Sequence, residues 1–481
     1  MGTKEPTIPS IKHYNPDIVD LYNKTWVWIS KKWKTGLSEK FSPVSYLDSD
    51  DTVFDYFYSV LPTFFLIYSG DKYDPACVLD FFYERQEDSG AIRSYYDKNT
   101  GKKITPKKEN PESISVPLFA RAEFAIYNKT GNKKRLKEVV YKIKKYYEWL
   151  FSTLKDPASG LLKCPLSCSL LGNVERKGAL YLVDYNSLVA ADLLSLYEAG
   201  DVLNDATIKM FAKPLSDTLF SRIRDRMWDE KTEFLCDLNA SYEKLKNPHL
   251  GEVFYLLSNE INYVTDGIIK KLKDSDEFNT YTVFPTVPKS SPQFKENTDG
   301  FKGGCSSILT YFVIKGLEKK GEFLFASECT LRHIFTILES IATPLPGENM
   351  GDVFEVYKNE EDGPVPFFDK KGEVYYPHRF YLPSLGLISI ALVIENVLGL
   401  DISLPQKTVA WTMDDYSEMG VENFPLKRNS ISILCVRNIR GWEIRLESEK
   451  LYYFKMTILN ENKTHSLPIP SGRCSLLPEK F

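Results

Sequence analysis

Apolar residues in this chain recur at one period over roughly its first 400 residues and at another over the remainder, and that order restricts the folds open to it. The clearest stretch is "NKKRLKEVVYKIKKYYEWLFSTL". Leu136, Val139, Val140, Ile143, Tyr147, Leu150, Phe151 and Leu154 fall on one face at the helical spacing, and lysines take the other. Gly131 and Asn132 precede it, and "KDPASG" stops it. The same pattern predicts helices near 16–35, 50–69, 75–87, 111–128, 184–199, 205–228, 248–259, 260–274, 303–320, 322–342 and 384–399. After "ENVLGLD" the pattern changes. "ISILCVRNIRGWEIRLESEKLYYFKMTIL" alternates apolar and polar residues around the turn "RNIRG", which is strand behaviour. The reading is a mostly α body over 1–400 and a small antiparallel, β-sandwich-like unit over 401–481. Helices first and strands afterwards exclude the βαβ alternation of a dinucleotide-binding fold or a parallel barrel. A helical body this large buries both faces of its helices by closing into a toroid of inner and outer helices, whose loops gather at one mouth.

Composition narrows the job. With 43% apolar and 26% charged residues the chain has the profile of a globular protein. A net charge of −4 and the lack of a dense Lys/Arg face argue against nucleic acid as a partner. No apolar run reaches the length of a membrane span, and the N-terminus lacks the apolar core of a signal peptide, so a cytoplasmic location and no membrane partner are expected. The eight cysteines have no metal-ligand spacing and read as reduced thiols, and the five histidines do not cluster. No metal or organic cofactor is expected.

Six segments, in order along the chain, resemble the helical-toroid glycoside hydrolases of the mannosylglycerate hydrolase and processing α-glucosidase group (glycoside hydrolase family 63 and relatives). They are "TVFDYFY", "LDFFYERQEDSGAIRSYYD", "GNKKRLKEVVYKIKKYYEWL", "SLLGNVERKGALYLVDYNS", "DGFKGGCSSILTYFVIKGLEKKG" and "DVFEVYKNEEDG…LPSLGLISIALVIENVLGL". The resemblance implies an (α/α)6, six-hairpin toroid with a small C-terminal β domain. It also implies hydrolysis of an α-linked disaccharide or small glycoside with inversion. That reaction needs a general acid for the leaving oxygen and a general base about 6.5–9.5 Å away to activate water.

The resemblance places the base at Glu355, the Glu of the family's Trp-Glu-Asn-Tyr, with Tyr357 also kept. The acid is different. Where the family has Ser-Gly-Met-Asp-Asn, this chain has Ser169 to Asn173, with Gly172 at the Asp position; Glu175 is the nearest carboxylate that could take the role. Asn173 matches the family's Asn and, with Asp55, is expected to hold the sugar; Asp55 keeps the family's carboxylate but equally reads as a buried Asp paired with a neighbour, and Arg93 reads as a sugar contact or as an ordinary salt-bridge partner. Asp184 matches the family's downstream Asp and also precedes a helical run, so it reads as a helix N-cap as well. The Tyr-Trp-Arg-Gly-x-Val-Trp stretch reads Gly300, Phe301, Lys302, Gly303, Gly304, Cys305 and Ser306. Lys302 keeps a charge on the rim but lacks the planar fork that grips a carboxylate, so an anionic aglycone is not expected. A catalytically degenerate carbohydrate-binding or interaction protein on the same toroid is the competing reading. "DDTVFD", with Asp50 and Asp51, has the look of a Mg²⁺-diphosphate motif, but no second metal-binding segment accompanies it.

Overall fold

Six inner helical segments close a circuit in the computed structural model, which describes residues 8–35, 45–49, 52–426, 429–469 and 471–477. Helix α1 is Pro16–Lys32, α2 Tyr56–Val60, α3 Thr63–Leu66, α4 Cys77–Tyr83, α5 Phe119–Thr130, α6 Lys133–Leu154, α7 Val183–Leu203 and α8 Ala206–Met227. A 3₁₀ helix over Leu250–Leu257 precedes α9 (Tyr263–Lys273), α10 (Ser307–Lys319) and α11 (Phe323–Ala342). Last comes α12 (Leu382–Gly386), which runs on into a π-helix over Leu387–Val397. Going round the inside, α3 packs on α5, α5 on α7, α7 on the 3₁₀ helix, that helix on α10, α10 on the π-helix, and the π-helix on α3. Outside them α6 leans on α5 and α7, α8 on α7, α9 on the 3₁₀ helix, α11 on α10, and α1 on the π-helix.

Sequence explains which helices go inside. In α7 every residue from Val183 to Leu196 is buried, so this stretch has no solvent face. The outer α6 keeps the one-sided pattern, and Asn132 caps its start by accepting the Arg135 N–H at 3.2 Å. The predicted helix over 50–69 is interrupted: Val53–Phe54 is a strand, and Leu61 and Pro62 separate α2 from α3. Asp50 and Asp51 lie outside the described residues.

The C-terminal region holds two sheets. One runs Leu400–Ser403, Thr408–Met413, Tyr452–Ile458, Lys463–Ile469; the other runs Ser10–Lys12, Met419–Leu426, Asn429–Asn438, Gly441–Ser448, Gly472–Leu476. Two features depart from the sequence reading. Ser10–Lys12 joins the C-terminal sheet, although it belongs to the stretch read as helical. The pair Thr408–Met413 with Tyr452–Ile458 is parallel, because the chain leaves for the other sheet after Met413 and returns in the same direction. The remaining strand pairs of both sheets are antiparallel. Among the described residues no helix is long and apolar enough to cross a membrane, no cluster of metal ligands forms, and all eight cysteines are free.

One inner carboxyl carries a pH signature. Glu252 is fully buried on the 3₁₀ helix, where its Oε2 accepts the Leu235 N–H at 3.0 Å and its Oε1 has no partner. Burial pushes it up to about 8. The folded state therefore binds a proton that the unfolded chain releases near the ordinary Glu value. Its stabilising contribution is complete at acid pH and is lost as pH rises from roughly 4.5 towards 8. Glu252→Gln should flatten the fall in urea midpoint between pH 5 and 8; an unchanged slope would assign it elsewhere.

Candidate active site

Strand Val356–Lys358 hydrogen-bonds in register with Gly304–Ser306, pairing Cys305 with Tyr357. That pairing brings the segment that carries Glu355 and the "GFKGGCS" segment together, and the Ser307 N–H donates to the Glu355 carbonyl at 2.9 Å. Glu355 is turned inward, with 5% of its surface exposed. Its Oε2 is in contact with the His378 Nδ1. The His378 ring stacks on Tyr381 at 4.4 Å between centroids and meets Tyr58 of α2 edge-on at 6.4 Å. His378 and Phe380 both have positive φ, at 51°, so a tight left-handed turn delivers the imidazole. Sequence reasoning missed His378. It sits in "YYPHRFYLP", which carries no motif, and only its place between Pro377 and the turn before α12 hints at a fixed conformation.

Tyr357 is not available to a ligand. It is completely buried, and its hydroxyl accepts the Phe354 N–H at 3.0 Å. The role expected for it, binding substrate, is replaced by one of propping the backbone beside Glu355.

The wall opposite, by the resemblance, should carry the acid. Here Gly172 has φ of +51° and lies against the Phe301 ring: a Cβ at this position would meet Phe301 Cδ2 at 2.0 Å. Any carboxylate at 172 displaces that ring. The contact is reinforced from both sides. Asn173 Nδ2 donates to the Asp299 carbonyl at 3.0 Å and to its Oδ1 at 3.1 Å, and Asn173 Oδ1 accepts the Phe301 N–H at 2.8 Å. Gly300 leaves room for Phe367, whose ring packs edge-on against Phe301 at 5.9 Å. Asn173, expected to hold sugar, is thus occupied in clamping the two loops.

Glu175 and Lys302 do come together, with Nζ to Oε1 at 3.0 Å, and Lys302 also lies 3.5 Å from Asp299. The Glu175 side chain is 72% exposed. Its hydrogen bond to Lys302 holds it below the usual carboxylate range. Such a group is ionised at neutral pH and is a poor proton donor, contrary to the acid role expected of it. Ser306, at the second Trp position, caps α10 through the Leu309 N–H.

Three further expectations resolve as follows. Asp55 caps α2, accepting the Phe57 N–H at 2.9 Å and the Ser94 hydroxyl at 3.1 Å. Arg93 is not a sugar contact: it makes a bidentate bond to Glu87 at 3.0 and 2.9 Å and another to Glu112 at 2.6 Å, and it lies over Trp149. Asp184 is neither an N-cap nor open to substrate. Leu182 holds the N-cap position of α7, and Asp184 is fully buried in a bidentate pair with Arg176 at 2.8 Å.

Arg176 also grips Asp237, at 2.7 and 2.6 Å, and the Ser169 hydroxyl at 2.8 Å, while Asp184 takes the Leu170 N–H at 3.2 Å. Burial opposes the charge on Asp237, yet Arg176 and His249 together hold it below the usual range. This network lies beneath the loop that carries Gly172 and fixes its path. A lone Arg in "NVERKGA" offers no signal of it in the sequence.

Residues 172–364 match the mannosylglycerate hydrolase MGH1-like glycoside hydrolase domain, and residues 399–481 match the trehalase C-terminal domain. An uncharacterized protein of Borreliella burgdorferi is 38% identical over 480 residues, covering 98% of this chain and 99% of its own. The GH63 mannosylglycerate hydrolase of Thermus thermophilus, solved with glucose, superposes with a TM-score of 0.57 at 11% identity, over 76% of this chain and 99% of that one. A sialidase gives 0.66 at 14% identity over 91% of this chain, and a GH78 rhamnosidase of Bacillus sp. GL1 gives 0.65 at 13% over 93%. The chain spans 40% and 42% of the lengths of those two. These structural likenesses establish the six-hairpin glycosidase-like fold with its C-terminal antiparallel β region. The chain belongs to the same family as the Borreliella burgdorferi protein, and its family signature is an MGH1-like glycoside hydrolase domain followed by a trehalase-type C-terminal domain.

Proposed function

We propose that the protein hydrolyses an α-linked disaccharide or small glycoside with inversion, using Glu355 as general base, at a site whose acid wall has been rebuilt. The observation that supports it most is Glu355 itself, buried next to the pairing of two short strands and in contact with His378 through one oxygen. Oε2 is committed to the imidazole, which leaves Oε1 to take a proton from water. In this reading the water attacks the anomeric carbon from the Glu355 side, Asp55 contacts the sugar, and Lys302 lies at the rim. Gly172 cannot protonate the leaving oxygen, and Glu175 is paired with Lys302.

Losing general acid help costs about 10²–10⁴-fold, so the rate should depend steeply on the leaving group. An α-glycosyl fluoride, whose departing fluoride needs little protonation, should be cleaved about 10²–10⁴-fold faster in kcat/KM than the matching disaccharide. Equal rates for the two would mean that a full acid is present and the rebuilt wall has no kinetic consequence.

A second reading is favoured by one feature, the sealing of the acid position by Phe301 over Gly172. In it the protein binds a sugar and does not cleave it. Calorimetric binding of sugars without turnover of any glycosyl fluoride would select that reading.

A further inference from the structure

The inner ring encloses a cavity away from Glu355. Its volume is about 470 Å³, and five of the six inner segments line it, through Phe64 of α3, Arg121 of α5, Glu198 of α7, Lys315 of α10 and Asn396 of the π-helix. Thr412, in the C-terminal region, closes one side. The Glu355 site borders the start of α10, where Ser307 meets the Glu355 carbonyl, whereas Lys315 and Lys319 lie in the last turns of that helix. At the 1.5 Å rise of a helix, Ser307 and Lys319 stand about 18 Å apart.

Most charges on this wall are matched. Lys315 pairs with Glu318 at 2.5 Å and with Glu395 at 2.9 Å, Lys129 lies 3.6 Å from Asp401, and Asp414 takes the Ser327 hydroxyl at 2.9 Å. Three are not. Arg121, Lys319 and Glu198 lie within electrostatic reach of one another, yet among the described residues none of their side chains makes a hydrogen bond or a close ion pair. Two cations against one acid leave a net positive charge. Burial pushes the Glu198 carboxyl up, which weakens its counter-charge further. The start of α5 is held firmly, because Asp192 accepts the N–H groups of Ala120 and Arg121 at 3.0 and 2.8 Å. A fixed guanidinium and a nearby ammonium, both without a partner on a cavity wall, suit the oxygens of a phosphate.

The rest of the wall suits hydroxyl groups. Asn396 is 9% exposed; its Nδ2 donates to Glu318 at 2.8 Å, and its Oδ1 has no partner. A buried acceptor left unmet calls for a donor. Thr412 and Asp414 add oxygens that can accept further bonds. The volume falls in the range of small-molecule sites, about 300–1,000 Å³.

We propose that this cavity binds the phosphate monoester of a small polyhydroxylated molecule, a hexose phosphate in size, with Arg121 and Lys319 on the phosphate and Asn396 on a hydroxyl. The site is separate from the one around Glu355 and does not depend on its chemistry.

The test is calorimetry of the full chain with glucose 6-phosphate, glucose 1-phosphate, inorganic phosphate and glucose. At least one ester should bind about tenfold more tightly than inorganic phosphate or glucose. Arg121→Gln and Lys319→Gln should each weaken that ester about tenfold or more, the scale of a lost charged hydrogen bond. Glu198→Gln, which removes the opposing acid, should tighten it, a change that a merely structural role would not produce. Asn396→Ala should weaken the ester about 3–10-fold and leave inorganic phosphate within about twofold. Glu355→Gln should leave every affinity unchanged, so this result and the test of the base are read separately. Lys319 is exposed at the cavity, so its variant serves even if Arg121→Gln fails to fold. No heat from any of the four ligands at millimolar concentration overturns the proposal. Inorganic phosphate or glucose binding as tightly as both esters, or esters indifferent to Lys319→Gln, overturns it as well.

Discussion

Glu355→Gln is expected to lower hydrolysis of an α-glycosyl fluoride by about 10²–10⁴-fold, the range for loss of a general base. Fluoride is the informative substrate because it needs little acid help, so the loss reports the base alone. Gln keeps the shape and length of the side chain and leaves the amide to meet the His378 Nδ1. The fold should be undisturbed, since the surrounding backbone is held by other bonds: Ser307 N–H to the residue 355 carbonyl, and Phe354 N–H to the Tyr357 hydroxyl. An unchanged thermal midpoint with lost turnover is the expected pair of results. A variant that retains most of its rate removes Glu355 from the chemistry.

Arg176→Met has the largest expected effect on stability. Its guanidinium serves two carboxylates, Asp184 and Asp237, and all three groups are 4% exposed or less. Removing the cation leaves two negative charges in a water-poor interior. Breaking a buried pair in this way costs about 3–5 kcal/mol. The loss is measured as a drop in urea midpoint at constant slope. A triple variant that also makes Asp184→Asn and Asp237→Asn should recover much of it, because the penalty comes from stranded charge rather than from lost attraction. A fall of less than about 1 kcal/mol for Arg176→Met would show that water reaches the pair. Because the network holds Ser169 and Leu170, the single variant should also loosen the loop that carries Gly172.

The helical body was legible through its apolar periodicity, which is one-sided in the outer α6, while Val183–Leu196 of the inner α7 is buried on every side. The segment around Glu355 was legible as a short apolar run, and it continues into the strand that pairs with Gly304–Ser306. What the sequence did not disclose lies in how charges find each other across the chain. Arg93 and Asp184 sit at positions that could face a sugar, yet each is consumed by a partner that linear spacing does not reveal: Glu87 and Glu112 for the first, Arg176 for the second. His378 is hidden for a related reason. It meets Glu355 only because the intervening hairpin brings the chain back, and a hairpin of two-residue strands leaves almost no periodic trace. Gly172, at the position where the resemblance puts an acid, was visible in the sequence, but the packing of Phe301 over it was not, since that depends on two loops far apart in the chain.

The most direct measurement is the anomeric configuration of the first sugar released from an α-glycosyl fluoride, followed by proton NMR before mutarotation. With Glu355 driving water onto the face opposite the leaving fluoride, the β-anomer appears first, and Glu355→Gln abolishes its appearance. Release of the α-anomer, or no turnover of fluoride by the wild-type protein, contradicts the account.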